Sequence, residues 1–95
     1  MKKIYDTVIA DTSKGKRVWI QGIAQFGWTG GTQYSVQYTD NLIVYKRTTE
    51  GKTRKVTASK GGVIDTVGKK VTQWAQDSTS VRVAIDQDSI IILRN

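Results

Sequence analysis

Ser13-Lys14-Gly15 recurs 46 positions later as Ser59-Lys60-Gly61, and this recurrence orders the rest of the chain. Gly22 and Trp28 find Gly68 and Trp74 at the same offset of 46. The alternating Tyr34, Val36 and Tyr38 stand 47 positions before Val81, Val83 and Ile85. Leu42 and Val44 stand 48 before Ile90 and Ile92. Two one-residue insertions reconcile the offsets. Repetition of this kind often dictates a whole architecture. Each copy has about 47 residues, below the size at which a chain ordinarily holds a core alone. The two copies are therefore expected to bury their apolar faces against each other, making in one polypeptide what other chains make as a homodimer. The organisation this predicts is 1–47 as a first unit, 48–52 as a polar linker and 53–95 as a second unit, together one compact domain.

The residues filling the two copies favour sheet. Ten Val, ten Ile and twelve Thr stand against two Leu. β-branched side chains crowd the turns of a helix but pack well on a pleated sheet. The predicted fold class is mostly β, or β-rich α+β, with one short helix per unit. Alternation or apolar runs predict strands over 3–10, 17–21, 32–39, 42–45, 54–58, 79–85 and 90–93, with another beginning at Val63-Ile64. Asp65 or Thr66 is a candidate cap for a helix running to about Gln76. Val67, Val71, Trp74 and Ala75 would share its apolar face. Gly22 to Trp28 leaves room for two helical turns at most.

The absent residues exclude much chemistry. The chain has no Cys, no His and no Pro. It can form no disulfide framework, no Cys/His zinc site and no histidine-based relay. No phosphate-loop pattern occurs, and Asp86 and Asp88 read as turn formers. The expectation is a protein that is not an enzyme and takes no cofactor. Ile90-Ile-Ile-Leu93 is the longest apolar run and is too short to span a bilayer. The N-terminus lacks the apolar core of a signal peptide. A soluble, cytoplasmic chain is expected.

The net charge of +7 points to an anionic partner, or to solubility alone. The basic residues gather near the first hairpin of each copy. In copy one they are Lys14, Lys16 and Arg17. In copy two they are Lys52, Arg54, Lys55 and Lys60, with Lys69 and Lys70 at the predicted helix start. Such groups neutralise phosphates, and an Arg such as Arg17 or Arg54 can also read guanine in a major groove. Cations at a helix N-terminus oppose its dipole, which suits an anion docking there or an ordinary exposed helix. Trp19, Trp28, Trp74, Tyr34, Tyr38 and Tyr45 could stack on unpaired bases. In a chain so poor in Leu and Phe, aromatic residues are also needed for the core, Trp28 and Trp74 first among them.

Arg54-Lys-Val-Thr-Ala-Ser-Lys-Gly-Gly-Val-Ile64 resembles the opening hairpin of the AbrB-like swapped-hairpin superfamily. Phe26-Gly-Trp-Thr-Gly-Gly-Thr-Gln-Tyr34 resembles that superfamily's glycine step, and Val36 to Tyr45 its closing hairpin. Ile20-Gln-Gly22 and Gly27-Trp28 are similar to its SymE-like branch. The usual proline after the second strand is absent, and copy two carries Asp77-Ser-Thr-Ser80 in place of the glycine step. The resemblance implies interleaved hairpins whose basic residues contact double-stranded DNA, in a transcriptional regulator or a toxin–antitoxin component. The chain would be a monomeric pseudo-dimer or a homodimer. The alternatives are a protein-interaction module (an antitoxin, or a phage-type inhibitor of a host protein), which would need an exposed apolar patch, and a small β-barrel binding single-stranded nucleic acid.

Overall fold

The computed structural model describes residues 2–51 and 53–95. Among these residues nine strands and one α-helix follow in chain order: β1 (Lys3–Val8), β2 (Ala10–Thr12), β3 (Gly15–Gln21), β4 (Gln33–Tyr38), β5 (Leu42–Arg47), β6 (Arg54–Lys55), β7 (Val63–Gly68), α1 (Lys69–Ala75), β8 (Ser80–Ile85) and β9 (Ser89–Arg94). Short 3-10 turns occupy Ile23–Phe26 and Ser59–Gly61. The larger sheet is antiparallel in the order β1-β8-β9-β5-β4-β6, and the smaller has the order β2-β3-β7.

Alternation along the strands puts one face of each sheet inside. Ile43 and Tyr45 of β5, Val81, Val83 and Ile85 of β8, and Ile90 and Ile92 of β9 are buried from the larger sheet. Val18 and Ile20 of β3 are buried from the smaller one, register partners of Thr66 and Ile64 of β7. Helix α1 packs on β3 and β7 and buries Val71, Trp74 and Ala75. Trp28, Tyr34 and Tyr45 form an edge-on aromatic chain, with centroids 6.3 Å and 5.5 Å apart. The aromatic residues fill the core where leucine would ordinarily do so.

The chain interleaves rather than folding half by half. β1 pairs with β8, β3 with β7, β4 with β6 and β5 with β9, and each of these ladders joins a residue before 48 to one after 53. Gly62 marks one crossing of the halves. It adopts a φ of 92°, and a Cβ there would stand 2.9 Å from the Trp28 carbonyl oxygen and 3.0 Å from the Ala24 nitrogen. Both are main-chain atoms of the first half, so only glycine lets the second hairpin come so close.

Three local expectations are corrected. The helix does not begin at Asp65 or Thr66, because β7 runs on to Gly68. Ladder hydrogen bonds to β3 and burial of Thr66 hold the β-branched stretch extended, and the helix starts only after Gly68, at a φ of 127°. Val67 consequently lies on the strand, not on the helix. In the first half Ile23–Phe26 closes as a 3-10 turn between Gly22 and Gly27, both left-handed, and no α-helix forms there. Arg54–Ala58 is also shorter than expected: two residues of strand, then an isolated bridge between Thr57 and Val63.

Candidate nucleic-acid interface

The small sheet and its ends carry most of the predicted basic residues. Lys14 sits exposed in the β2–β3 turn, its backbone N–H donating to Thr12 Oγ1 at 3.1 Å. Lys16 is the second residue of β3, opposite Gly68. Its backbone N–H donates to Thr72 Oγ1 at 2.9 Å, and that hydroxyl donates in turn to the Gly68 carbonyl at 2.8 Å. Thr72 thus ties the β2–β3 turn to the start of α1, bringing Lys14 and Lys16 to the same end of the sheet as Lys69. The Lys16 ammonium is 3.2 Å from Asp11.

Lys60 lies at the opposite end. It adopts a φ of 52°, and its carbonyl accepts the Gly22 N–H at 3.2 Å. The β3–β7 ladder runs between these two basic ends for about 20 Å, at the usual strand rise.

Between them the outer face of the small sheet carries Arg17 and Trp19, which alternate with buried Val18 and Ile20. Arg17 Nε stands 2.9 Å from Asp65 Oδ1, an ion pair whose angle falls short of a hydrogen bond. The guanidinium also lies 5.5 Å from the Trp19 ring centroid. Arg17 is therefore already paired, whereas Lys14, Lys60, Lys69 and Lys70 have no acidic partner among the described residues.

The remaining predicted residues are not gathered with these. Arg54 and Lys55 are exposed on β6, the edge strand of the larger sheet. Lys70 turns toward Tyr38, its ammonium 5.7 Å from the ring centroid. Lys52 lies outside the described residues. Of the six aromatic candidates, Trp28, Trp74, Tyr34 and Tyr45 are buried, which leaves Trp19 on the outer face of the small sheet and Tyr38 partly buried against the core. Arg47 and Arg94 cover the two core tryptophans, 4.8 Å and 5.7 Å from the rings of Trp28 and Trp74.

Asp86 is held by its turn. Its carboxylate accepts the backbone N–H groups of Asp88 at 2.8 Å and Ser89 at 2.9 Å. The Ser89 and Asp88 bonds favour the charged form and lower its pKa. Among the described residues no group of three or more acidic side chains is placed to hold a metal ion, and no helix is long and apolar enough to cross a membrane.

The sequence reading missed a second surface. On the outer face of the larger sheet, pairing aligns Ile4, Ala84, Ile91 and Val44 in one row across β1, β8, β9 and β5. A neighbouring row holds Leu93 beside Leu42. Ile4, Val8, Ile91 and Leu93 are the large apolar side chains left exposed among the described residues, and strand alternation places all four on this face. The run Ile90-Ile-Ile-Leu93 was the available signal: four consecutive apolar residues in a strand make both of its faces apolar.

No family model, curated protein or solved structure matches this chain.

Proposed function

We propose that the chain is a double-stranded DNA-binding protein made of two swapped-hairpin-like units that act as an internal pseudo-dimer. One observation supports the reading: exchanging the halves reproduces the pairing between them, at an offset of 47 residues in the larger sheet and 46 in the smaller, and the exchange relates the two basic ends of the small sheet. The pair Thr7 with Val81 becomes the pair Arg54 with Tyr34 when each residue is moved 47 positions into the other half. The bond from the Ile9 N–H to the Thr79 carbonyl becomes that from Val56 to Thr32 at the same offset of 47, and both are 2.9 Å long. Arg47 over Trp28 matches Arg94 over Trp74. In the β3–β7 ladder the offset is 46, and the axis passes through the pair Trp19 with Asp65.

That axis relates Lys14 at one end of the ladder to Lys60 at the other. Two cations related in this way suit the two strands of a duplex, whose backbones are themselves two-fold related. Lys14, Lys16, Lys60 and Lys69 are assigned to phosphate contact, which gives affinity without sequence preference. The preferred site is near-palindromic and imperfectly so, because the halves differ. Regulation of transcription is the role this binding fits. The burial of four candidate aromatic residues argues against a single-strand stacking platform.

The test is a titration of labelled duplex and single strands at about 50 and 200 mM salt. Replacing Lys14, Lys16, Lys60 and Lys69 with Ala should lower the log–log salt slope by about 0.9 for each phosphate contact removed. Unchanged duplex affinity in that variant, or no duplex binding by the wild type at low salt, overturns the assignment.

A further inference from the structure

We infer that the uncovered face of the six-stranded sheet is a homodimer surface, on which a second copy of this chain packs face to face. On the inner side of that sheet lie the small sheet, α1 and the core, and among the described residues no element covers its outer side. That outer side presents Ile4, Ile91 and Val44 in one row and Leu42 and Leu93 in the next. The exposures of Ile4 at 59% and Leu93 at 40% are those of side chains awaiting a partner surface.

Size and charge select a second copy as the occupant. Six strands of six residues or fewer, spaced as in any sheet, span a flat projection of about 500–600 Å². Two such faces with their side chains reach the lower range of specific interfaces, about 1,200 Å² in total. The aliphatic rows of this face can pack on the same rows of a second copy, as in the aligned packing of two sheets. Chains of charge +7 repel each other, but the repulsive groups lie elsewhere. Arg82 at the patch is paired with Asp6 at 3.0 Å, and Lys46 and Lys55 stand only at its margins. The basic ends of the small sheet face away, so packing through the apolar face keeps the two sets of lysines apart. The dimer would present two basic surfaces on opposite sides.

Sedimentation equilibrium of the full chain at about 100 µM, where mass action favours association, tests this inference. The wild type should weigh twice 10.6 kDa. Raising salt from about 150 to 500 mM should tighten the dimer, since screening weakens like-charge repulsion. DNA binding has the opposite salt dependence, so the failure of one reading is distinguishable from failure of the other. Ile91→Lys enters a two-fold interface twice and should raise the dissociation constant by about 100-fold or more. Ile4→Lys, on a peripheral strand, serves if the first variant does not fold, and unchanged near-ultraviolet dichroism verifies folding for either. A wild-type mass of 10.6 kDa at both salt concentrations overturns the inference, whether the face then takes another protein or none. So does a dimer that survives both substitutions, which would have to form through another surface.

Discussion

The Thr66 hydroxyl is a polar side-chain group inside an otherwise apolar core. It shares a hydrogen bond with the Tyr45 hydroxyl, and both residues are buried. Burial pushes the Tyr45 phenol well above its ordinary pKa, with the Thr66 bond opposing that shift. Tyr5, Tyr34 and Tyr38 are also raised by burial. A phenol whose folded pKa exceeds its unfolded value of about 10 stabilises the fold fully below that pH and ceases to do so as pH climbs toward the folded value. Thr66→Val keeps the shape and leaves the phenol without a partner, so it should cost about 1–3 kcal/mol in denaturant unfolding. Adding Tyr45→Phe to Thr66→Val should recover most of that loss. If the single and double variants are equally destabilised, the hydroxyl pair is not what holds this site. None of this was legible in the sequence, where Thr66 read as a helix cap. Its partner is 21 residues away, in the other half of the chain. Trp28 and Trp74 were legible as core because the chain is so poor in Leu and Phe.

At the scale of elements, the strands that alternate cleanly were read nearly in place, as with β4 and β8. Only the start of the helix was misplaced: Val67, Val71, Trp74 and Ala75 fit a helical period, while the extended pairing of β7 depends on β3, some 46 positions earlier. Local periodicity carries no record of such a partner. The basic residues were read as one cluster in each copy, and only the fold shows which of them share an end of a sheet. Thr72 gathers Lys16 and Lys69, whereas Arg54 and Lys55 depart on an edge strand. The junction between the second hairpin and the first 3-10 turn rests on Gly62. Gly62→Ala would place a methyl within 3.0 Å of main-chain atoms at a φ of 92°. Two independent penalties, backbone strain and overpacking, give an expected loss of about 2–4 kcal/mol in thermal or denaturant unfolding. Gly51 also has a positive φ, of 72°, but a Cβ there meets nothing within 4 Å. Gly51→Ala should therefore show the strain alone. Equal losses at the two positions would mean that the close approach at Gly62 has no energetic role.

The whole molecule is defined by how little of it either half could hold alone. β1 would have no neighbour without β8, and β6 none without β4. The small sheet would be divided along β3 and β7, and the large sheet along β5 and β9. The aromatic chain from Trp28 through Tyr34 to Tyr45 belongs to the first half, yet Thr66 and the Asp86 carbonyl, which accepts the Trp28 indole N–H at 2.7 Å, come from the second. A cut at the exposed bend around Gly51 would sever the chain but none of these ladders. Fragments 1–50 and 53–95 should each lack cooperative unfolding, because half a core does not offset the entropy of ordering a chain this short. Mixed in equal amounts they should regain the far-ultraviolet and tryptophan signals of the intact chain. The complex should melt at a temperature that rises with concentration, since joining two chains costs association entropy that the covalent bend removes. A fragment that folds cooperatively alone would mean that the two halves are independent units in contact. Complementation would instead mean that a fold able to assemble from two chains operates here as one.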